Sequence, residues 1–157
     1  MLTNFTGFPM PDNNYHDALA ARFIDAVPHV HELGIEMVSM SAARVHVRLP
    51  YREDWLGDTV HGLIHPGITS TLVDSSSGLA VLARLDRPEP IATLDLRMDY
   101  LRPAVGGLAL DCQAECYRVT PHIVFVRATV WQDNVDKPVA LSQSVFMRSS
   151  TSKKRVI

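Results

Sequence analysis

Between His65 and Arg84 the chain carries a single ionisable side chain, Asp74, in a run of small and apolar residues that opens on a histidine-proline step. No other segment constrains the fold so much. Pro66 suits the first helical position, where its fixed φ is already helical and its missing N–H has no intrahelical partner to lose. The spacing therefore predicts a helix starting near His65. It should run to about Leu85, because Arg84 and Arg87 suit a C-terminal end and Pro88 and Pro90 forbid continuation. At about 100° per residue, Gly67, Thr71, Asp74 and Gly78 fall on one stripe, flanked by Ser70 and Ser77. Ile68, Leu72, Leu79 and Leu82 fall on another. The second stripe is expected to pack, and the first to present Asp74. A helix this poor in charge and this rich in Ser, Thr, Gly and Ala suits close wrapping by a curved sheet or by a second subunit.

Everything downstream reads as β. Residues 91–101, 108–119, 123–132 and 139–148 are rich in β-branched and aromatic side chains and lack helix signals. The last three should be joined as hairpins. Upstream, Tyr15, Ala18, Leu19, Phe23 and Ile24 approximate helical spacing over 14–26, and Pro28 ends the pattern. Residues 35–41 and 44–51 should pair as a hairpin, followed by a polar loop over 52–59. Helix, two strands, long helix, four strands is an α+β order in which an antiparallel sheet wraps one helix.

A chain of 157 residues with 46% hydrophobic content fits one domain with a sizeable core. Residues 1–13 are expected to form a loose arm and 150–157 a loose tail. A net charge of −2 with scattered Lys and Arg offers no footprint for nucleic acid, and Lys153, Lys154 and Arg155 read as a solvated terminus. Cys112 and Cys116, four apart in a strand, share a face but are too far apart to bond each other. They read as reduced core thiols. No signal-peptide pattern and no apolar run near the ~18 residues of a membrane span is present, so the expected location is cytoplasmic, with no membrane partner.

The order of elements, with HPGITSTLVD on the helix and LDLRMDYLRPA in the next strand, resembles the hot-dog fold thioesterases, and within them the PaaI-like acyl-CoA thioesterase family. The resemblance covers about residues 33 to 147. Members show a histidine followed by two glycines, an acidic residue nine positions after the histidine, and a later Tyr-x-x-Pro. His65 and Asp74 keep the first spacing, and Tyr100 to Pro103 keep the second. The resemblance implies a six-stranded antiparallel sheet around the central helix and a homodimer, often a dimer of dimers, with sites between subunits.

For activity, the resemblance implies acyl-CoA hydrolysis with Asp74 as general base or nucleophile, and no cofactor beyond the CoA of the substrate. Thioester hydrolysis needs such a carboxylate together with a donor for the developing oxyanion. In the family the residue after the histidine is usually a glycine whose N–H points at the thioester oxygen, whereas Pro66 has no N–H. Three outcomes follow: the N–H of Gly67 or the imidazole of His65 takes over, hydrolysis is slow, or acyl thioesters are bound without cleavage. Asp58 stands nearest to a family asparagine, with spacing different by about one residue. Thr93, seven residues before Tyr100, matches a hydroxyl that in some relatives orients the attacking water. Both are substrate-site candidates. Arg84 and Arg102 could meet CoA phosphates, but exposed arginines seldom act so specifically.

Other chemistries fit less well. His61 and His65 are four apart, but Pro66 leaves His61 in the preceding loop, and no third ligand clusters with them. No metal site is expected. The serines at 75 to 77 lie inside the helix, away from any G-x-S-x-G elbow. A hot-dog hydratase or dehydratase and a non-catalytic acyl-CoA sensor are the remaining alternatives.

Overall fold

The computed structural model describes residues 15–85 and 89–148. The expected arm at 1–13 and tail at 150–157 lie outside them. In chain order the elements are α1 (Tyr15–Ala26), α2 (Pro28–Leu33), β1 (Glu36–Met40), β2 (Arg44–Leu49), β3 (Leu56–Asp58), β4 (Leu63–Ile64), α3 (Pro66–Arg84), β5 (Ile91–Tyr100), β6 (Leu110–Val119), β7 (Ile123–Trp131) and β8 (Ala140–Arg148). Six strands form one sheet in the order β1-β2-β6-β7-β8-β5, and β3 pairs with β4 apart from it. Every pairing is antiparallel. The sheet packs on α3 through β2, β5, β6, β7 and β8, which is the hot-dog arrangement expected from the sequence.

Alternation explains which side faces the helix. Val45, Val47 and Leu49 on β2, Leu110, Cys112, Ala114 and Cys116 on β6, and Val124, Val126, Ala128 and Val130 on β7 are all buried, as a period of two requires for one covered face. Several of these inward residues are small, and Ala140, Ser142 and Ser144 on β8 continue the trend. The matching surface of α3 is small too, with Ser76, Ser77, Gly78, Ala80 and Ala83 buried. Small residues on both sides let helix and sheet approach closely, and Leu72 and Leu79 fill the remaining space. Each contributes about 2 kcal/mol by burial.

This packing corrects one expectation. The polar stripe does not run the length of α3, because Ser77 and Gly78 are buried where the last turns pass under the sheet. A Cβ on Gly78 would lie 3.8 Å from both Ile91 Cδ1 and Phe146 Cε1. Only the N-terminal half of the stripe, with Gly67, Ser70, Thr71 and Asp74 half-buried, faces outward.

Four short elements were not expected: α2, a 3₁₀ turn, β3 and β4. Pro28 follows the end of α1 but also starts α2 at its first position, the place proline favours, leaving His29 and His31 exposed. The loop over 52–59 holds a 3₁₀ turn, Glu53–Trp55, and then β3. Cys112 and Cys116 are free and buried, and burial pushes their thiols up to about 12 and about 11. No described helix is long and apolar enough to cross a membrane. β5 is an edge strand, bonded only to β8.

Candidate active site

His65 is the N-cap of α3 and keeps an extended backbone. Its Nδ1 accepts the N–H of Gly67, the second helical residue, at 2.9 Å, the bond an N-cap side chain characteristically makes. An accepting Nδ1 carries no proton, so the neutral ring holds its proton on Nε2. The backbone N–H of His65 donates to Trp55 O at 2.8 Å, tying the cap to the 3₁₀ turn. No acidic residue lies in the first turn of α3, so no side chain of that turn offsets the positive end of the helix dipole.

Two turns along α3, Asp74 accepts a hydrogen bond from Thr93 Oγ1 to its Oδ1 at 2.8 Å. Among the described residues no other donor reaches this carboxylate. Thr93 lies on β5, and so does Tyr100, whose Oη donates to Pro66 O at 2.9 Å and lies 2.7 Å from Ser70 Oγ. Thr93 and Tyr100 both contact α3, yet seven residues separate them and a regular strand would set them on opposite faces. A bulge resolves the parity. The register against β8 slips between Thr93 and Asp95, so the extra residue, Leu94, turns Thr93 back toward the helix, a use of bulges common beside active sites.

A cavity of about 660 Å³ opens at the N-terminus of α3, lined by Asp58, His65, Pro66, Tyr100, Leu101 and Arg102 among others. Asp74 and Thr93 are not among its lining residues. The family model described as thioesterase superfamily matches residues 61–139, just over half of the 157-residue chain. The chain belongs to the thioesterase superfamily.

Relatives of this thioesterase-superfamily chain agree. A Halobacterium salinarum protein described as a candidate esterase is 37% identical over 112 residues, spanning 68% of this chain and 70% of its own. A Pseudomonas aeruginosa protein of known structure is 36% identical and superimposes with a TM-score of 0.76 over 84% of this chain and 98% of its own. The PaaI protein of the Escherichia coli phenylacetic acid degradation operon is 19% identical, with a TM-score of 0.76 over 87% and 95%, and so shares the fold. Membership brings the general chemistry of ester and thioester hydrolysis.

Within this thioesterase-superfamily site, the candidate residues separate into two groups. His65 and Gly67 sit at the helix start, and Asp58 joins His65 in the cavity wall. Asp74 and Thr93 form a second group further along. The Gly67 N–H is not free for a substrate oxygen, because His65 Nδ1 takes it. Asp58 is likewise engaged: its Oδ1 accepts the N–H groups of Val60 and His61 at 3.0 Å each, and its Oδ2 lies 2.7 Å from His61 Nδ1. The bond from His61 holds the Asp58 carboxyl below the usual carboxylate range. Arg102 donates through Nη2 and Nε to Lys137 O at 2.7 and 3.1 Å, which fixes it to the cavity wall, and Arg84 is exposed at the far end of α3. Two contributors went unread in the sequence: the tether that Tyr100 makes to Pro66, and the close approach of Gly57 to His65.

Proposed function

We propose that this protein hydrolyses an acyl-CoA thioester to a free acid and a thiol, at a site formed where two copies meet. The Thr93–Asp74 hydrogen bond carries this reading. It uses the only proton of the Thr93 hydroxyl and leaves Oδ2 of the carboxylate for catalysis. As general base, Asp74 would take a proton from water while the water oxygen bonds to the thioester carbon. Collapse of the tetrahedral species breaks the C–S bond, and the departing thiolate collects a proton. As nucleophile, Asp74 would form an acyl-enzyme anhydride that water then cleaves.

The oxyanion donor in this reading is the Nε2–H of His65. Pro66 supplies no N–H and the Gly67 N–H is engaged, but that engagement orients the imidazole with its proton on the outer nitrogen. The dipole of α3 adds to the stabilisation of negative charge there.

Spacing supports a composite site. Gly67 and Asp74 are seven residues apart, or about 10 Å along the helix axis, whereas reacting atoms must approach within about 3.5 Å. A helix start from one copy and Asp74 with Thr93 from another would meet that requirement. The free edge of β5, with Leu94 55% exposed, offers the surface for such pairing.

The test is release of free CoA from a panel that includes phenylacetyl-CoA, chosen from the operon of the Escherichia coli relative, and hexanoyl-CoA. Asp74→Asn should abolish release. A single turnover in ¹⁸O-water separates the two roles, since only a nucleophilic Asp74 gains label. Engagement of the Gly67 N–H favours one other reading, an acyl-CoA binder that does not cleave. Tight binding with no CoA release by the wild-type protein would establish that reading and overturn hydrolysis.

A further inference from the structure

We infer that Gly57 is a positioning residue that holds the His65 imidazole in register for the oxyanion, a role that rests on the reading of His65 as donor. Gly57 lies in β3, where the pairing with β4 slips between Leu56 and Asp58. Its backbone does not call for glycine. The described glycines with positive φ are Gly34, Gly62 and Gly107, so Gly57 keeps a conformation that any residue could adopt.

What Gly57 provides is the absence of a side chain beside His65. A Cβ there would lie 3.0 Å from both Cα and Cβ of His65 and 3.1 Å from Cδ2. Those contacts involve backbone and the stem of the ring, which cannot swing aside as a flexible chain end could. On the other side, a Cβ on Gly67 would come within 2.8 Å of Nδ1 and 3.1 Å of Cε1. The imidazole is thus flanked by two glycines from different elements. Two further bonds fix it, from Gly67 N–H to Nδ1 and from the His65 N–H to Trp55 O. Trp55 is itself buried and carries the Arg52 guanidinium 5.2 Å above its ring.

Cδ2 is bonded to Nε2, so a methyl on Gly57 would crowd the edge of the ring that bears the free proton. Gly57 and His65 both line the cavity, so a methyl on this glycine would enter the wall that the ring shares. Gly57→Ala must therefore move His65 by a few tenths of an ångström or narrow the approach to Nε2. Misplacement of a catalytic group by 1 Å can cost about 100-fold in rate, so a shift of this size should lower kcat roughly threefold to tenfold while KM changes little.

The experiment combines kinetics with histidine-selective ¹⁵N NMR on wild type, Gly57→Ala, His65→Ala and the double variant, using phenylacetyl-CoA and hexanoyl-CoA. The expected result is a shifted Nδ1 and Nε2 pair for His65 in Gly57→Ala, with a reduced kcat. In the His65→Ala background the same substitution should have no further effect, because a residue acting through His65 is silent once the ring is gone. Unchanged His65 signals in Gly57→Ala would overturn the inference, as would an undiminished loss of kcat in the His65→Ala background. Full activity in His65→Ala would instead refute the donor role, and with it the catalytic meaning of the clamp. If Gly57→Ala fails to fold, the wild-type spectrum decides: a single His65 tautomer with its proton on Nε2 supports the clamp, and a mixture of the two tautomers overturns it.

Discussion

Thr93→Val isolates the bond on which the proposed chemistry turns. The substitution removes one hydroxyl and keeps the β-branched shape that a strand favours. Thr93 is exposed, so losing the bond should cost global stability no more than the low end of its worth, about 1.5 kcal/mol. The lost interaction is a 2.8 Å hydrogen bond to a carboxylate, worth about 1.5–3 kcal/mol when one partner is charged. Solvent at this half-exposed site favours the lower figure, which converts to a fall in kcat of roughly tenfold. Stopped-flow release of CoA reads kcat and KM separately, and thermal unfolding monitors the fold. Thr93→Ser, which restores a hydroxyl on the same Cβ, should recover most of the rate. A wild-type kcat in Thr93→Val would refute the idea that Thr93 holds Asp74 in its working position. Equal damage in Val and Ser would show that packing, rather than the hydrogen bond, accounts for the loss.

Two more predictions follow from the packing and the loop. Gly78→Ala should stabilise the protein, since glycine inside a helix costs about 1 kcal/mol relative to alanine and the new methyl meets only ordinary contacts at 3.8 Å. The melting temperature should rise by about 2–4 °C, checked by calorimetry. The Asp58 carboxyl titrates below its ordinary value of about 3.9 because of its bond from His61. Its contribution to the turn over 58–61 is then complete above pH ~3.9 and lost as pH falls through the lower folded value. Carboxyl ¹³C NMR should show that depressed midpoint, and Asp58→Asn should loosen the turn at neutral pH.

Much of the fold was legible because its elements are long and periodic. The run from Pro66 to Arg84 announces its start by proline chemistry and its burial by lack of charge, and the strands after it run nine or ten residues, rich in β-branched and aromatic side chains. β3 and β4 were not legible, since two or three residues carry no period. Pro28 is ambiguous as a stop signal, because a proline that ends one helix also suits the first position of the next.

At the site, the fate of the Gly67 N–H could have been anticipated, because an N-cap side chain with a free acceptor takes the N–H of the second helical residue. The bulge at Leu94 could not. Nothing in the spacing of Thr93 and Tyr100 signals that an extra residue lies between them, and without it their shared contact with α3 contradicts strand geometry. The approach of Gly57 to His65 joins segments eight residues apart through a hairpin that the sequence did not reveal.

The two cysteines acquire a meaning from the chemistry nearby. Cleavage of a thioester discharges a thiol beside the protein that made it, and thiols exchange with disulfides and oxidised partners through their thiolate forms. With burial raising Cys112 to about 12 and Cys116 to about 11, only about one part in 10⁴ or less of either is thiolate at pH 7. Both also lie inside the sheet, where a mixed disulfide with the released product has no room to form. Under the proposed thioester hydrolysis, an enzyme built this way works in its own thiol product without being capped by it.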